Sequence, residues 1–268
     1  MVDQPIIMGV LNITPDSFSD GGLFFEAQSA IDQAVLMVEQ GADIIDIGGE
    51  STRPGAPEVS AEDELKRVLP VIEALSGNID VPISIDTSKP VVMRRAFDAG
   101  ASIINDVYAL RSEGALEMAA SLGADVCLMH MQGNPRTMQK NPKYDDVVSD
   151  VKNFFIERLE ACSGVGIKLE SITLDPGFGF GKNLAHNIAL LKNLAEFHDF
   201  GVSILAGLSR KSMIGSLLGD KEVDSRMIGS VTAALIAVEN GANIIRAHDV
   251  AETKDALTVW QQIKHFRE

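Results

Sequence analysis

Hydrophobic residues along the chain follow two spacings that alternate. Short apolar runs, such as residues 81–86, predict strands, and segments with apolar residues three or four positions apart predict amphipathic helices. Leu65, Val68, Leu69 and Ile72 predict one such helix, and Ser60 is expected to cap its N-terminus. The chain is therefore predicted to be an α/β protein.

Four similar Gly-Ala segments divide this pattern into units. They begin at Gly41, Gly100, Gly123 and Gly241, and are spaced by 59, 23 and 118 residues. Each follows a helical pattern and opens an apolar run, as expected where a helix ends on glycine and a strand begins. With a unit of roughly 30 residues, the four segments become strands 2, 4, 5 and 8.

The remaining strands are predicted where this count requires them, at residues 6–13, 81–86, 171–175 and 202–207. Eight strand–helix units without a linker predict a (β/α)8 TIM barrel that forms a single domain over residues 1–268. An open, doubly wound sheet is the alternative. It is less favoured because the first unit carries no G-x-G-x-x-G sequence.

Composition narrows the possible partners and location. A net charge of −15 argues against a nucleic-acid or anionic-membrane partner. Cys127 and Cys162 form no CxxC pair and are expected to be buried free thiols in a reducing cytosol. Residues 1–5 lack the form of a signal peptide, and no apolar run reaches about 18 residues. We therefore expect a cytoplasmic protein.

Polar residues lie at the end of every predicted strand. In a barrel, these ends meet at one face, where active sites are built. The residues in question are Asn12, Asp46, Asp86, Asn105, His130, Asp175, Ser209 with Lys211, and Arg246 with His248. This repeated placement predicts a binding or catalytic site at that face.

The side chains suggest two kinds of chemistry. An acidic half, formed by Asp86, Asn105 and Asp175, suits a flat heterocycle, because a carboxylate accepts two parallel N–H groups. A cationic half suits phosphate or pyrophosphate, and consists of Arg53, Arg246 and His248 together with Asn12. Oxygen atoms of Asn12 and Asp20 are candidate ligands for Mg²⁺.

Several polar residues have more than one interpretation. His130 is either a hydrogen-bonded strand-end histidine or a ligand, and Asp46 is either an interior hydrogen-bonding group or a ligand. Asp106 and Asp249 are expected to cap the helices that follow them, and Glu50 is expected to be a loop charge.

The glycine-rich stretch DPGFGFGK, residues 175–182, has two interpretations. Its glycines either cradle a phosphate or give room for a flat ligand beside Asp175. The spacing is not that of a P-loop, and Asn183 follows Lys182 where a P-loop has serine or threonine.

These motifs together resemble bacterial dihydropteroate synthases. MGVLNITPDSFSDGG at 8–22 is similar to the family's first signature, and DIGGESTRPG at 46–55 to its second. Further blocks match in order along essentially the whole chain, namely SIDT at 84–87, IND at 104–106, MHMQG at 129–133, LDPGFGF at 174–180, SRK at 209–211 and RAHD at 246–249.

The resemblance implies a reaction and a set of site residues. The family joins (7,8-dihydropterin-6-yl)methyl diphosphate to para-aminobenzoate and releases pyrophosphate, in folate synthesis. Lys211, Asp175 and Arg246 would be catalytic. The pterin would contact Asp86, Asn105, Asp175, Lys211 and Met129. The diphosphate would contact Asn12, Thr52, Arg53, Arg246, Ala247 and His248. The para-aminobenzoate would contact Phe18, Thr52, Pro54, Phe180, Ser209 and Lys211.

The resemblance also implies Mg²⁺ at Asn12 and Asp20, closure of the loops after strands 1 and 2, and a homodimer formed through the later helices. An SN1-like substitution is expected, because an aryl amine is a weak nucleophile. Two alternatives remain at this stage. One is a pterin-binding methyltransferase domain, which has no need of cationic residues around a diphosphate, and the other is a non-catalytic pterin-binding barrel.

Overall fold

A computed structural model describes residues 4–13, 22–51, 55–134 and 137–266 of the chain. Its parallel strands close into a barrel in the order β1 to β8. They are β1 (Ile6–Asn12), β2 (Ile44–Gly48), β3 (Ile83–Asp86), β4 (Ile103–Asp106), β5 (Asp125–Met129), β6 (Ile172–Asp175), β7 (Ser203–Ala206) and β8 (Ile244–Ala247). The predicted (β/α)8 fold is confirmed.

Helices surround the barrel, and all but the last of them lie between consecutive strands. They are α1 (Gly22–Glu39), α2 (Ala61–Leu75), α3 (Pro90–Asp98), α4 (Ala115–Leu122), α5 (Val147–Gly164), α6 (Leu184–Lys192), α7 (Ser212–Leu217), α8 (Met227–Glu239) and α9 (Val250–Lys264). Both α7 and α8 lie between β7 and β8, as the long seventh gap predicts. In the described part of the chain, no helix has the length and apolar character to cross a membrane.

The Gly-Ala repeat marks real helix-to-strand junctions. Gly41, Gly100, Gly123 and Gly241 all have positive φ angles, of 97°, 120°, 63° and 107°. Such angles suit glycine and end a helix by turning the chain back toward the sheet. The four glycines precede β2, β4, β5 and β8, which confirms the predicted count.

The barrel interior is apolar at the end where the strands begin. Met8, Ile44, Cys127, Leu205 and Ile244 form a buried cluster there, separate from the larger core between strands and helices. Side chains two positions further along a strand point to the same interior, because strand side chains alternate. The polar residues Asp46 and Arg246 therefore lie directly beyond Ile44 and Ile244, toward the strand ends.

Both cysteines are free and buried, as predicted. Burial raises the pKa of the Cys127 thiol well above its ordinary value, and also raises that of Cys162. Both side chains are therefore protonated and serve as small apolar groups.

Helix α2 confirms one prediction and corrects another. Ser60 caps it, since its Oγ accepts a hydrogen bond from Asp63 N at 3.1 Å. Its buried face is Glu64, Val68, Val71, Ile72 and Leu75, whereas Leu65 and Leu69 are only partly buried. The helix is rotated relative to the prediction because the Glu64 carboxylate points inward and pairs with a lysine, described below.

Candidate active site

The strand register brings the first site residues to one level of the barrel. Asn12 pairs with Gly48, Gly48 with Asp86, and Asp86 with Asn105. Their side chains therefore face the same interior space at the mouth of the barrel, where the carboxyl ends of the strands meet. Gly48 contributes no side chain, and this leaves room between Asn12 and Asp86.

Asp46 is a buried hydrogen-bonding centre just beneath this level. Its Oδ1 accepts from Ser84 Oγ at 2.6 Å, and its Oδ2 accepts from Asn105 Nδ2 at 3.0 Å and from Arg246 Nε at 2.7 Å. The side chain is fully buried. Of the two interpretations of Asp46, the interior hydrogen-bonding group is therefore the one that the structure supports. It orients Asn105 and Arg246.

Arg246 lies among the carboxylates, so it is not part of a separate cationic half as predicted. Its Nη2 donates to Asp86 Oδ2 at 3.0 Å while its Nε donates to Asp46. Burial alone would lower the pKa of Arg246, but attraction to Asp46 and Asp86 raises it, so the guanidinium stays charged. The Arg246 side chain projects inward from β8 and therefore reaches both Asp46 and Asp86.

Asp86 and Asp175 are carboxyl groups held away from water. Burial raises the pKa of Asp86, the nearby Asp46 raises it further, and Arg246 opposes the shift. Burial also raises the pKa of Asp175, against the opposing influence of Lys211 and of the Gly177 N–H, which donates to Asp175 Oδ1 at 2.7 Å. Buried carboxyl groups of this kind are typical of functional sites.

Lys211 lies close enough to Asp175 for their charges to interact, and it contacts the glycine-rich turn, which comprises residues 176–181. Its Nζ donates to the Phe178 carbonyl and lies 4.6 Å from the centre of the Phe180 ring. Burial lowers its pKa from the ordinary 10.5 to about 8, although attraction to Asp175 partly opposes this. A lysine with such a pKa is charged at neutral pH and still able to lose its proton.

Met129 belongs to an apolar cluster beside these charged groups. It packs with Val107, Met131 and Met138, and Tyr108 and Phe180 contact the cluster from its edge. Met129 also pairs in register with Asp175. The mouth of the barrel therefore combines an apolar wall with hydrogen-bonding groups, as pockets for flat heterocycles do.

Ser209 and His248 form a pair on the other side of the mouth. Ser209 Oγ accepts from His248 N at 3.2 Å and lies 3.0 Å from His248 Nδ1. The hydroxyl and the ring nitrogen are therefore hydrogen-bonded to each other, and the same hydroxyl also binds the backbone of His248.

Arg210 fixes the backbone between Ser209 and Lys211. It adopts a positive φ of 58°, and its guanidinium binds Asp249 through Nε at 3.1 Å and Nη2 at 2.5 Å. The predicted side-chain cap at Asp249 is therefore wrong. Asp249 precedes α9 and its carbonyl accepts from Thr253 N, but its carboxylate is used by Arg210.

Two other interpretations are settled by contacts. His130 is the hydrogen-bonded strand-end histidine, because it is 6% exposed and its Nδ1 lies 2.9 Å from Lys182 Nζ. Asp106 caps a turn rather than a helix, since it accepts from Tyr108 N and Leu110 N, both at 2.8 Å. Burial, opposed by these two bonds, raises its pKa to about 6.

Glu50 is not a solvated loop charge. Its Oε1 accepts from Val59 N at 3.1 Å, and its Oε2 pairs with Lys89 Nζ. Lys89 also lies 2.5 Å from Glu64 Oε2, and Glu64 is fully buried. Glu50 thus joins the two ends of the loop between β2 and α2 and anchors them to the residue that precedes α3.

A cleft of about 550 Å³ opens beside this network. It extends from Asp86 outward, between the loops that follow β2, β3 and β4. The described residues that line it include Glu50, Ser51, Asp86, Thr87, Lys89, Val107 and Tyr108. The cleft is thus continuous with the site at Asp86 rather than a separate feature.

The glycine-rich turn is not a phosphate cradle. Lys182 is 2% exposed and its Nζ donates to the carbonyls of Gly177, Phe180 and His130, at 2.9, 3.0 and 3.2 Å. A lysine used in this way cannot reach a phosphate. The interpretation in which the turn gives room beside Asp175 is the one that the structure supports.

Six predicted site residues need separate mention. Phe18, Asp20, Thr52, Arg53 and Pro54 lie outside the described residues. Ala247 is described, and its methyl group belongs to the core outside the barrel. Only its backbone is thus available to a ligand, because side chains alternate along β8 and its neighbours Arg246 and His248 face the mouth.

The sequence did not predict the roles of Ser84, Lys89 and Lys182. Strand alternation was the available signal for Ser84, which lies two residues before Asp86 on the same face. Lys89 and Lys182 act through contacts between segments far apart in sequence, with Glu50 at a separation of 39 residues and with His130 at 52. No local pattern reports such contacts.

Comparison with known proteins gives the family of the chain. Residues 8–248 match the family model described as "Pterin binding enzyme". The dihydropteroate synthase of Escherichia coli strain K12 is 56% identical over 260 residues, which cover 96% of this chain and 91% of the relative.

Solved structures show the same similarity. The dihydropteroate synthase of Xanthomonas albilineans with 4-aminobenzoic acid has a TM-score of 0.94 and 50% identity, covering 99% of this chain and 95% of that one. The same enzyme in complex with 7,8-dihydropteroate has a TM-score of 0.91 and 47% identity, covering 100% and 96%. The chain therefore belongs to the pterin-binding enzyme family and, within it, to the dihydropteroate synthases.

Proposed function

We propose that the chain condenses (7,8-dihydropterin-6-yl)methyl diphosphate with para-aminobenzoate, giving 7,8-dihydropteroate and pyrophosphate. The observation that carries this proposal is the meeting of Asp86, Asn105, Asp175, Lys211 and Arg246 at one barrel mouth, in a member of this family. The relatives crystallised with 4-aminobenzoic acid and with 7,8-dihydropteroate support the choice of substrate and product.

The pterin is held by the acidic half and by Met129. A 2-amino-pyrimidinone edge presents adjacent N–H groups, and the Asp175 carboxylate accepts two of them in parallel. Asn105 offers an amide whose orientation is fixed by Asp46. Met129 and its apolar neighbours cover a face of the ring.

Substitution begins with departure of the diphosphate. The C–O bond at the pterin methylene breaks, its electron pair leaves with pyrophosphate, and the resulting carbocation is stabilised by the ring nitrogens and by nearby carboxylate charge. Arg246, His248 and Asn12 are proposed to stabilise the negative charge that develops on the leaving group, together with Thr52, Arg53 and the backbone of Ala247. The amine nitrogen then forms the C–N bond and releases a proton.

A secondary deuterium isotope effect at the pterin methylene tests this order of events. We expect an effect clearly above unity, because the carbon becomes trigonal before the amine bonds to it. An effect of unity, measured under conditions in which chemistry limits the rate, contradicts a dissociative step.

Magnesium suits the donor chemistry of this mouth. Among the described residues, no group of three or more His, Cys, Asp or Glu side chains could enclose a metal ion. The hard amide oxygen of Asn12 nevertheless faces the mouth, and Mg²⁺ commonly takes one or two protein oxygens together with substrate phosphates and water. Asn12 and Asp20 would hold the ion, which when bound would neutralise charge on the diphosphate.

The aryl amine is proposed to lie beside the glycine-rich turn. Phe180 and Lys211 form one wall there, since the ammonium lies 4.6 Å from the ring centre. Ser209 lies on the adjacent loop, where it pairs with His248. The other members of this pocket are Phe18, Thr52 and Pro54, in the loops that are proposed to close over it.

The wider organisation of the protein is also proposed. We take residues 1–268 as one pterin-binding domain and expect a cytoplasmic enzyme, to which two buried free thiols are suited. A homodimer is supported by exposed apolar residues on the later helices, namely Leu217 on α7, Ile228 and Ile236 on α8, and Val259 and Ile263 on α9. Apolar side chains exposed on successive helices are candidates for burial in an interface.

Substitutions at two groups test the assigned site. We expect Lys211→Ala and Asp175→Asn each to lower kcat/KM by at least ~10²-fold, the scale found for removal of one stabilising group. Lys152→Ala, on the outer face of α5 and paired with Asp199, is the control and should retain full activity. Near-native turnover in either of the first two purified variants contradicts the role assigned to that residue.

A further inference from the structure

Lys182 has no role in the proposed binding or catalysis, yet its ammonium makes several contacts with the glycine-rich turn. Its ammonium is enclosed by the carbonyl oxygens of Gly177, Phe180 and His130. Two of these belong to the turn and the third to the segment that follows β5. Lys182 therefore joins the turn to the neighbouring strand through a single buried charge.

His130 completes the surroundings of this charge. Its Nδ1 lies 2.9 Å from Lys182 Nζ, and its ring meets Phe154 edge-on, with centroids 4.9 Å apart. Burial, Lys182 and Arg111 lower the pKa of His130 to about 2, so the ring is neutral and Nδ1 accepts. Burial also lowers the pKa of Lys182, but four acceptors around one ammonium favour its charged form.

The turn is packed directly against β5 and its following residues. A Cβ atom at Gly177 would lie 1.9 Å from the His130 carbonyl oxygen, and one at Gly181 would lie 2.7 Å from that of Gln132. Both glycines have positive φ. Two backbones thus approach so closely that only glycine fits, and Lys182 neutralises the carbonyl dipoles gathered there.

Other side chains bind the outer part of the turn. Asn187 Oδ1 accepts from Gly179 N at 2.7 Å, Gln139 Nε2 donates to the Gly179 carbonyl, and Tyr144 OH donates to the Gly181 carbonyl at 2.8 Å. The conformation of the turn is therefore set by side chains outside it, with Lys182 at the centre and Tyr144 at the edge.

Asp175 and the tip of the turn are fixed by different means. Asp175 is held by the ladder, because its carbonyl accepts from His130 N at 2.9 Å and it pairs with Met129. The Phe178 carbonyl and the Phe180 ring, both of which contact Lys211 Nζ, belong to the turn and have no such ladder. Loss of Lys182 should thus displace the tip, whereas the backbone of Asp175 stays in the ladder.

We propose that Lys182 is a positioning residue for the aryl-amine pocket: it holds the glycine-rich turn so that Phe178 and Phe180 meet Lys211. It does not touch substrate. The proposal rests on the assignment of Phe180 to the para-aminobenzoate site, made under the proposed function. It goes beyond that assignment because it names what fixes the wall of the pocket.

Steady-state kinetics with both substrates varied test this proposal on the full chain. For Lys182→Met we expect KM for para-aminobenzoate to rise at least about fivefold, because buried polar contacts are lost at that subsite. KM for the pterin diphosphate should change less than about twofold, because its subsite keeps its contacts. Tyr144→Phe, which removes one hydroxyl contact, should shift the same KM in the same direction by about twofold. Lys152→Met is the matched control, and Phe180→Ala is measured in parallel.

The outcomes separate this proposal from the function on which it rests. A rise in KM for para-aminobenzoate with Phe180→Ala but not with Lys182→Met overturns the role of Lys182 alone. Equal rises in both KM values with Lys182→Met also overturn it, because a general loss of structure would act on both subsites. If neither Phe180→Ala nor Lys182→Met raises KM for the amine, both the pocket and the proposal are wrong. If Lys182→Met does not fold, the result with Tyr144→Phe decides.

Discussion

The side chain of Lys211 is buried and is proposed to act as an ammonium, and this makes activity sensitive to alkaline pH. Its pKa is lowered to about 8, so the ammonium that contacts the Phe178 carbonyl is lost as pH rises through that value. We expect kcat/KM to fall on the alkaline side with an apparent pKa of about 8, and Lys211→Arg to lack this limb. A wild-type profile that stays level to about pH 9.5 contradicts the charged role.

His130 makes stability depend on acid in the opposite direction. Its pKa is lowered from 6.5 to about 2, so below pH 6.5 the unfolded chain binds a proton that the folded chain does not. Between pH 6.5 and about pH 5, the free energy of unfolding of the wild type should therefore fall by about 1.6 kcal/mol more than that of His130→Asn. Denaturant unfolding of both proteins at the two pH values measures the difference, and parallel losses would contradict it.

Single site residues could be predicted where they lie at the end of a strand whose side chains alternate between two faces. Asp86, Asn105 and Asp175 end apolar strands, and the barrel gathers strand ends at one face. The position of the Arg246 guanidinium could not be predicted, because its long side chain turns toward Asp46, which is 200 residues away in sequence. Alternation gives the face of a strand, whereas the partner of a flexible cation depends on three-dimensional packing.

Among the elements, the loop between β2 and α2 depends on the Lys89 network. Glu50 and Val59 join its ends, and Lys89 binds both Glu50 and the buried Glu64. We expect Lys89→Met to lower kcat/KM by at least ~10-fold, because loss of one partner leaves a buried carboxylate unpaired and the loop unanchored. Thr52, Arg53 and Pro54, between the joined ends, are proposed substrate residues.

Lys66→Met is a matched control for that experiment. Lys66 lies on the exposed face of the same helix and pairs with Glu62 and Asp63. It should retain activity, since exposed ion pairs contribute little. Wild-type kinetics in a folded Lys89→Met protein would show that the network serves stability alone.

The helices and strands were predicted from local patterns, but the face that a helix buries was not always predicted correctly. The Gly-Ala repeat located four helix-to-strand junctions because a positive φ at glycine is a local requirement. The inward rotation of α2 was missed because the buried Glu64 pairs with Lys89, which lies 25 residues away in sequence. A carboxylate that is paired across segments breaks the rule by which apolar residues alone mark a buried helix face.

At the scale of the whole molecule, exposed apolar side chains support the proposed dimer. Ile228 on α8 is 76% exposed and Ile263 on α9 is 72% exposed, and these neighbouring helices contact each other. We expect the double substitution Ile228→Glu and Ile263→Glu to convert a dimer into a monomer, because charges oppose burial at an apolar interface. Light scattering after size-exclusion chromatography measures the mass, and Val91→Glu on α3, 50% exposed, is the control.

An unchanged dimer in the double variant would contradict an interface formed by α8 and α9. A monomeric wild type would contradict the homodimer altogether. The net charge of −15 favours solubility but does not oppose a specific apolar contact, because a local surface is not described by the charge of the whole chain.

The central claim is that this barrel couples a pterin diphosphate to an aryl amine. Its most direct test is pyrophosphate release by the purified protein with the pterin diphosphate and Mg²⁺, measured with and without para-aminobenzoate. We predict release that depends on the amine, is matched mole for mole by 7,8-dihydropteroate, and is strongly reduced in Asp175→Asn. Binding of the pterin without any amine-dependent release of pyrophosphate would contradict the claim.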